Sequence, residues 1–278
     1  MMGRRIDTPS LEADEIRVWI VRFVDDDFAT TRHLEVLDSH ERERAARFVH
    51  PHHRDRFIQY HAVARRILGR YLGLAATDVT FTHGRDGKLE TMSRPGCPDI
   101  GFNLSHSGDC CMLAVRHRHP VGIDIEQLRP LPEMTGIAAR WFSPGEAKLL
   151  AALTGDARER AFFALWTHKE AVVKALGSSL AANLDRVEFK LDARGCPQLA
   201  SLDGNRPNAR RFSVARVDAP DGYVAALASP YPFSRVSVHA WSENHQSWLK
   251  DTGNIGNTAK RSARAGERSV ALSAGIVL

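Results

Sequence analysis

Two carboxylates in one short apolar segment are the first residues in this sequence that suggest chemistry. Asp124 and Glu126 alternate with Ile123 and Ile125 behind Gly122. Alternate side chains of an extended strand share a face, so both carboxylates would project from the same side. Two carboxylates this close repel each other, and a hard divalent cation such as Mg²⁺, which prefers oxygen ligands, offsets the repulsion. A strand face turned to water would explain the pair equally well.

A second cluster combines an acid, a base and an indole at helical spacing. Trp166, Glu170 and Lys174 recur every four residues, which places them on one face of a helix. Glu170 is therefore a candidate metal ligand or general base, and Lys174 and Lys169 are candidate counter-charges for phosphate. A surface ion pair beside a half-buried tryptophan is the plainer alternative.

Ser105 and His106 are adjacent within the segment 102–108, which ends in a glycine turn. The pair suggests a hydrolase, but no G-x-S-x-G motif is present, and neighbouring residues of a strand point to opposite faces. A histidine beside hydroxyls and a turn is better suited to donate hydrogen bonds to a phosphate, or to serve as a structural histidine.

Two further polar segments give weaker signals. The turn at 84–88 carries a basic tip, which fits either a plain surface hairpin or a phosphate contact. His50, His52 and His53 flank a proline without the spacing of a known metal site, so we expect a solvated loop there.

The elements that must hold these residues recur in the same order in both halves of the sequence. Each half has a capping-box pattern that starts a helix, then a longer amphipathic helix, then a strand opening. We interpret this order as an internal repeat of an α+β unit, with a seam near residues 116–120 that favours ligand binding. The segments are 38–41, 54–71 and 78–81 in the first half and 143–146, 159–176 and 185–189 in the second, after an opening strand at 16–24.

Composition narrows the class of protein. With 278 residues, 43% hydrophobic and 26% charged, the chain is typical of a soluble globular protein of one large or two smaller domains. Four cysteines without a CxxC pair fit neither a disulfide framework nor a zinc site and favour a reducing cytoplasm. No apolar run approaches the ~20 residues of a membrane helix. Residues 231–278 lack an amphipathic pattern and predict a flexible tail.

The net charge of +5 and the pI of about 9.2 suggest an anionic partner. Nucleic acid is one possibility, motivated by six arginines in the first-half helices, but neither aromatic interleaving nor a helix-turn-helix accompanies them. We therefore expect no nucleic acid and no membrane as partner. The arginines are Arg42, Arg44, Arg47, Arg65, Arg66 and Arg70.

Taken in order, six motifs resemble the Sfp-type 4′-phosphopantetheinyl transferases, which activate acyl and peptidyl carrier proteins. The resemblance covers about residues 16–229, and Leu89 departs from it where a proline usually follows the Gly-Lys turn, as does the segment 178–180 after the lysine helix. The motifs are E-R-x-R-A-x-R-F at 41–48, Gly87-Lys88, the segments 103–108 and 121–126, Phe142-Ser143 with Glu146, and Trp166-x-x-Lys169-Glu170-Ala171-x-x-Lys174.

The resemblance implies a fold, a reaction and a set of site residues. The fold would be an α+β pseudo-dimer with halves at 16–118 and 119–230, the second carrying the metal site, and coenzyme A bound at their junction. The reaction would transfer the phosphopantetheine arm of coenzyme A to a serine of an acidic apo carrier protein, releasing 3′,5′-ADP. The implied roles are Mg²⁺ ligands for Asp124, Glu126 and Glu170; catalysis for Glu170, Lys169 and Lys174; and coenzyme A contacts for Arg44, Arg56, Lys88, Ser105, His106 and Lys174.

A Mg²⁺-dependent phosphohydrolase acting on a nucleotide could use the same carboxylates, and it would release phosphate without a carrier protein. The sequence leaves the identity of the carrier open. A chain with two copies of the unit can work as a monomer.

Overall fold

A computed structural model describes residues 9–83, 89–91, 95–177 and 184–242 of the chain. The predicted α+β class is confirmed, because these residues form seven α-helices and eleven strands, and groups of helices follow groups of strands along the chain. The helices are α1 (Asp27–Leu34), α2 (Ser39–Ala46), α3 (Pro51–Leu72), α4 (Met134–Trp141), α5 (Pro144–Ala151), α6 (Gly155–Leu176) and α7 (Arg206–Ala209). The strands are β1 (Glu15–Arg22), β2 (Phe81–His83), β3 (Leu89–Thr91), β4 (Ile100–Ser107), β5 (Cys110–His117), β6 (Gly122–Gln127), β7 (Val187–Leu191), β8 (Pro197–Leu202), β9 (Ser213–Val217), β10 (Tyr223–Ser229) and β11 (Arg235–Ala240).

The order of elements repeats. In the first half, β1 is followed by α1, α2, the long helix α3, the hairpin β2–β3 and the antiparallel pair β4–β5. In the second half, β6 is followed by α4, α5, the long helix α6, the hairpin β7–β8, the additional short helix α7 and the antiparallel pair β9–β10. β1 pairs with β5 and β6 pairs with β10, both antiparallel. The internal repeat inferred from the sequence therefore corresponds to a repeated order and pairing of elements.

Local sequence explains where the helices begin and end. Asp38 and Ser143 each accept a hydrogen bond from a glutamate amide three residues later, and each glutamate side chain accepts one back, which forms the two predicted capping boxes. Both 22-residue helices, α3 and α6, end at a glycine in the left-handed region, Gly73 (φ 68°) and Gly177 (φ 71°). No helix within the described ranges is long and apolar enough to cross a bilayer.

The apolar residues form layers. One buried cluster joins α3 to one face of the β1–β5–β4 sheet, and a second joins α6 to the β6–β10–β9 sheet. A third cluster, containing Val18, Met112, Ile123 and Leu227, lies between the two sheets. The layers are therefore helix, sheet, sheet and helix, and the two long helices lie on the outside.

The predicted tail boundary at residue 231 is wrong. Residues 235–240 form β11, which runs parallel to β1 and extends the first sheet to the order β11–β1–β5–β4. Arg116 holds the connection to this strand, because its buried guanidinium donates to Ser229 Oγ, to the Tyr231 carbonyl (2.9 Å) and to the Pro232 carbonyl. β11 therefore follows the second half in the chain but pairs with the sheet of the first half. Residues 243–278 of the predicted tail lie outside the described residues.

Candidate functional site

The two halves meet where β4 lies beside β6, and side chains link the strands there. Alternate residues of β4 face β6: Ser105 Oγ donates to Asp124 Oδ1 and Ser107 Oγ to Glu126 Oε2, both at 2.7 Å. One step earlier, Asn103 Oδ1 accepts from a backbone amide of β6 at 2.9 Å. This side-chain ladder fixes both carboxylates on the edge of β6, where β4 lies beside it.

Asp124 is the most constrained of the carboxylates. It is 4% exposed, and its Oδ1 accepts both from Ser105 and from Lys174 Nζ, the latter at 2.6 Å. Its other oxygen, Oδ2, is buried and has no hydrogen-bond partner among the described residues. A buried carboxylate oxygen without a donor is costly, so a cation or a donor from a ligand would stabilise it.

Glu170 lies across from the two carboxylates of β6, on α6. It is buried, and Lys174 Nζ lies 4.0 Å from its Oε2. Burial and the negative charge of Asp124 raise the pKa of Glu170 to about 8, with Lys174 opposing the rise. Burial also raises the pKa of Glu126, despite the hydrogen bond from Ser107. Both shifts have the same physical cause, which is negative charge concentrated where water is largely excluded.

Close approach of α6 to β6 depends on Gly122. A Cβ atom at this position would lie 2.1 Å from the carbonyl oxygen of Ala171, the residue after Glu170. The missing side chain lets the helix backbone touch the strand and brings Glu170 and Lys174 to Asp124.

The oxygen donors fit a hard divalent cation in chemistry, although they do not form a closed cage. No three or more His, Cys, Asp or Glu side chains of the described ranges are arranged so that they could hold one metal ion by themselves. Mg²⁺ usually takes one or two carboxylates and completes its coordination with phosphates and water. The unpartnered Oδ2 of Asp124, with Glu126 or Glu170 as a second carboxylate beside it, meets that requirement.

His106 follows Ser105 on β4 and points to the other side. Its ring is exposed and stacks on Tyr60 of α3, with ring centroids 5.7 Å apart. Desolvation against its neighbours and the charge of Lys174 lower the pKa of His106. Arg56, another predicted coenzyme A contact, forms an ion pair with Asp109 just after β4. The structure thus places His106 and Arg56 at the same end of the first half.

The structure contradicts the prediction that Lys169 acts in the site. Lys169 is 0% exposed, and its Nζ donates to Glu146 Oε2 at 2.7 Å and to the Val187 carbonyl. Burial lowers the pKa of this lysine, against the effect of Glu146. One residue along a helix turns the side chain by about 100°, so Lys169 faces the core while Glu170 faces β6.

Arg44 lies at a separate cavity of the first half. The cavity has a volume of about 120 Å³, and the Arg44 guanidinium lies 5.2 Å from the centroid of the Phe57 ring that helps to line it. Lys88 and the rest of the 84–88 turn lie outside the described residues. The other lining residues are Asp38, His40, Glu41, His61, Phe81 and Leu89.

Sequence reasoning missed Ser107 and Tyr60. The signal for Ser107 was available, since hydroxyls at 105 and 107 repeat with the same period of two as the carboxylates at 124 and 126. Tyr60 gave no comparable signal, because it lies among apolar residues of a helix face. His50, His52 and His53 are exposed as predicted, but the prediction of a loop is wrong, because they lie at the N-cap and in the first turn of α3.

The chain is similar in sequence to known transferases. Residues 120–228, which include β6 and α6, match the family model described as ACPS: 4′-phosphopantetheinyl transferase superfamily. The chain is 33% identical to the 4′-phosphopantetheinyl transferase HetI of Nostoc sp. over 79% of this chain and 89% of HetI. It is 29% identical to the 4′-phosphopantetheinyl transferase Sfp of Bacillus subtilis over 72% of this chain and 85% of Sfp.

Solved structures give partial overlaps. A holo-(acyl-carrier-protein) synthase from Bacillus anthracis in complex with CoA (3′,5′-ADP) matches with a TM-score of 0.33 and 20% identity, over 40% of this chain and 93% of that chain. The corresponding synthase from Thermotoga maritima matches with a TM-score of 0.32 and 24% identity, over 42% and 65%. The similarity to this family therefore rests on the sequence matches and not on these structural overlaps.

Proposed function

The chain belongs to the 4′-phosphopantetheinyl transferase superfamily, whose members transfer the phosphopantetheine arm of coenzyme A to a carrier protein, and from that premise we propose how its residues divide the work. Asp124, Glu126 and Glu170 bind Mg²⁺ together with the diphosphate of coenzyme A. The observation that carries this proposal is the unpartnered, buried Oδ2 of Asp124 beside two further carboxylates. When bound, the ion would neutralise negative charge on the coenzyme A diphosphate, whose P–O–P bond breaks as the serine oxygen bonds to the phosphopantetheine phosphorus and 3′,5′-ADP leaves.

Glu170 takes the proton of the carrier serine. A base must be unprotonated and within reach of the hydroxyl, and the raised pKa of Glu170 gives it a strong affinity for a proton. A cation bound beside it would lower that pKa toward the working pH, since opposite charge favours the ionised form. Binding of the cation would thus prepare Glu170 to accept the serine proton.

Lys174 changes partners during the cycle. In this structure it neutralises Asp124 and donates to Ser105 at 3.0 Å. The side chain of Lys174 is 19% exposed, so its Nζ can turn from Asp124 to an incoming phosphate oxygen. Phosphoryl transfer depends mainly on positioning and charge neutralisation, and Lys174 supplies a positive charge for both.

The rest of coenzyme A lies along the first half. His106 and Arg56 contact phosphate groups, and Arg44, with Lys88, holds the 3′-phosphate end. The exposed guanidinium of Arg44 over an aromatic ring, at the mouth of a cavity, supports this placement. Ser105 remains a candidate contact, although its hydroxyl proton is directed to Asp124.

The partner is an apo carrier protein with an acidic surface, and the protein works in the cytoplasm as a monomer. The positive net charge supports an acidic partner. Cys97, Cys110, Cys111 and Cys196 are free thiols, which supports a reducing compartment.

Intact-mass analysis tests the proposal. The protein is incubated with coenzyme A, Mg²⁺ and a panel of apo acyl and peptidyl carrier domains, and each carrier is weighed. We expect a carrier to gain the mass of phosphopantetheine with the wild type and to gain none with Asp124→Ala or Glu170→Ala. Glu188→Gln, which alters a carboxylate of β7 outside the site, is the control. Phosphate release without any carrier would instead favour a phosphohydrolase.

A further inference from the structure

A buried ion pair that lies outside the site connects α6 to two other elements, α5 and β7. Glu146 is the third residue of α5, and Lys169 belongs to α6; both side chains are 0% exposed and lie 2.7 Å apart. Glu146 also accepts from the backbone amide of Phe189 in β7 at 2.8 Å, while Lys169 donates to the carbonyl of Val187 in the same strand. We refer to Glu146, Lys169 and these two backbone groups as the α6 clamp.

The first half contains an equivalent arrangement. Glu41 is the third residue of α2, and it accepts from Arg65 Nε of α3 at 2.6 Å. Arg65 also donates to the carbonyl of Val79, just before β2, at 2.6 Å. Arg65 and Lys169 hold the same position, counted from the first residue of their 22-residue helices. The same device therefore fixes the rotation of both long helices about their axes.

The residue that follows each cation differs. After Arg65 comes Arg66, which lies outside the carboxylate site, whereas after Lys169 comes Glu170. A clamp that fixes Lys169 also fixes the direction of Glu170, because adjacent helical side chains keep a constant angle of about 100°. On the other side of α6, contact with Gly122 sets how closely the helix approaches β6 but does not by itself prevent rotation.

We propose that Glu146 and Lys169 are positioning residues for the reaction: the α6 clamp holds Glu170 and Lys174 in register with Asp124. This inference rests on the proposed function of Glu170. A purely stabilising pair would make activity follow stability, whereas a positioning pair makes the turnover rate fall while the protein stays folded.

The test uses the double variant Glu146→Gln/Lys169→Met. Replacing a buried ion pair by neutral groups of similar size is often tolerated, and glutamine keeps an acceptor for the amide of Phe189. We expect kcat to fall about 10- to 100-fold, since small displacements of reacting groups cost that much, with KM values for coenzyme A and carrier within about threefold. Amide hydrogen exchange should rise in α6 peptides while the urea midpoint stays near that of the wild type.

Two single variants complete the test. Lys169→Arg should keep kcat within about threefold, because in the first half an arginine donates to the equivalent glutamate and to a carbonyl near the next strand. Arg116→Met removes a buried cation that donates to carbonyls between β10 and β11, far along the chain from α6. It should lower the urea midpoint and leave kcat unchanged.

Three results would overturn the proposal: wild-type kcat in the double variant, unchanged exchange in α6, or a loss of kcat in Arg116→Met in proportion to its loss of stability. Failure of the proposed function would look different. In that case the wild type would modify no carrier or Glu170→Gln would keep full activity, while the exchange measurement would still report on the clamp.

Discussion

The two halves of this protein share the same order of helices and strands but carry different polar residues on them. Where α6 carries Glu170 and Lys174, the corresponding positions of α3 carry Arg66 and Arg70. β6 presents Asp124 and Glu126 to the seam, whereas β1 carries no carboxylate beyond its first residue, Glu15. The order of elements is shared because both halves have capping boxes, the same apolar periodicity and a buried pair of a glutamate and a basic residue. We propose that the chemistry belongs to the second half, because that half carries the acids at these positions.

The largest expected effect comes from substituting one of two equivalent residues of the long helices, Glu170 of α6. Glu170→Gln removes the proposed base and should lower kcat about 10²- to 10⁴-fold, the usual range for a general base. Arg66→Gln, at the same position of α3, should leave kcat within about twofold. Steady-state kinetics with a carrier domain measures both. Equal losses in the two variants would mean that the halves are not functionally distinct.

Gly122 should be the next most sensitive position. The Gly122→Ala methyl group would lie 2.1 Å from the Ala171 carbonyl, so helix and strand must separate. We expect a loss of about 3 kcal/mol in the free energy of unfolding, the upper range for overpacking, together with lower activity. Gly136→Ala is the matched control, since it lies in α4 with open space around it and should gain about 0.5–1 kcal/mol. A neutral effect at Gly122 would show that α6 does not need this contact with β6.

Arg44 tests whether the first half serves binding. Arg44→Gln should raise KM for coenzyme A about tenfold and leave kcat unchanged, since a charge-assisted hydrogen bond contributes about 1.5–3 kcal/mol. With a coenzyme A analogue that lacks the 3′-phosphate, wild type and variant should have similar KM values. Arg210→Gln, an exposed arginine of the second half, is the control. An effect on kcat instead of KM would place Arg44 closer to the chemistry than we propose.

The smallest effect is a dependence of stability on pH in the first half. Burial raises the pKa of Glu41, but His61 and Arg65 outweigh it, so the net pKa lies below the ordinary value of 4.5. A lowered folded pKa means that the carboxylate stabilises the fold above pH 4.5 and that this contribution is lost as the pH falls below it. Urea unfolding at pH 6 and at pH values below 4.5 should therefore show a smaller loss of stability in Glu41→Gln than in the wild type.

The result for Glu41 tests the Glu41–Arg65 pair of the first half. If Glu41→Gln had the same pH dependence as the wild type, the loss of stability at acid pH would come from other carboxylates. The Glu41–Arg65 pair would then contribute nothing to stability in this pH range. The comparison is made on the slope with pH, because the substitution also changes stability at every pH by removing a partner of Arg65.

Much of the fold could be predicted because its signals are local. The capping boxes at Asp38 and Ser143 depend on residues three apart, and both lie where the sequence places them. The strand β11 could not be predicted in the same way. Its residues, Arg235–Ala240, alternate weakly, and what holds them is the open edge of β1, more than 200 positions earlier in the chain.

The candidate site divides in the same manner. The shared face of Asp124 and Glu126 follows from strand geometry, and the helix face of Glu170 and Lys174 follows from a spacing of four. That these faces meet, that Ser105 and Ser107 bind the carboxylates, and that Lys169 is buried rather than catalytic depend on contacts between distant segments.

By itself, the sequence determined the α+β class, the repeat, the order of the motifs and the residue types available for chemistry, because periodicity and capping act over a few residues. The tertiary structure alone decided which way α6 is rotated and which strand borders the first sheet. The physical reason is that an isolated helix has no preferred rotation about its axis. Packing of the apolar face of α6 against the β6–β10–β9 sheet, close contact at Gly122 and the proposed α6 clamp together select the face that carries Glu170.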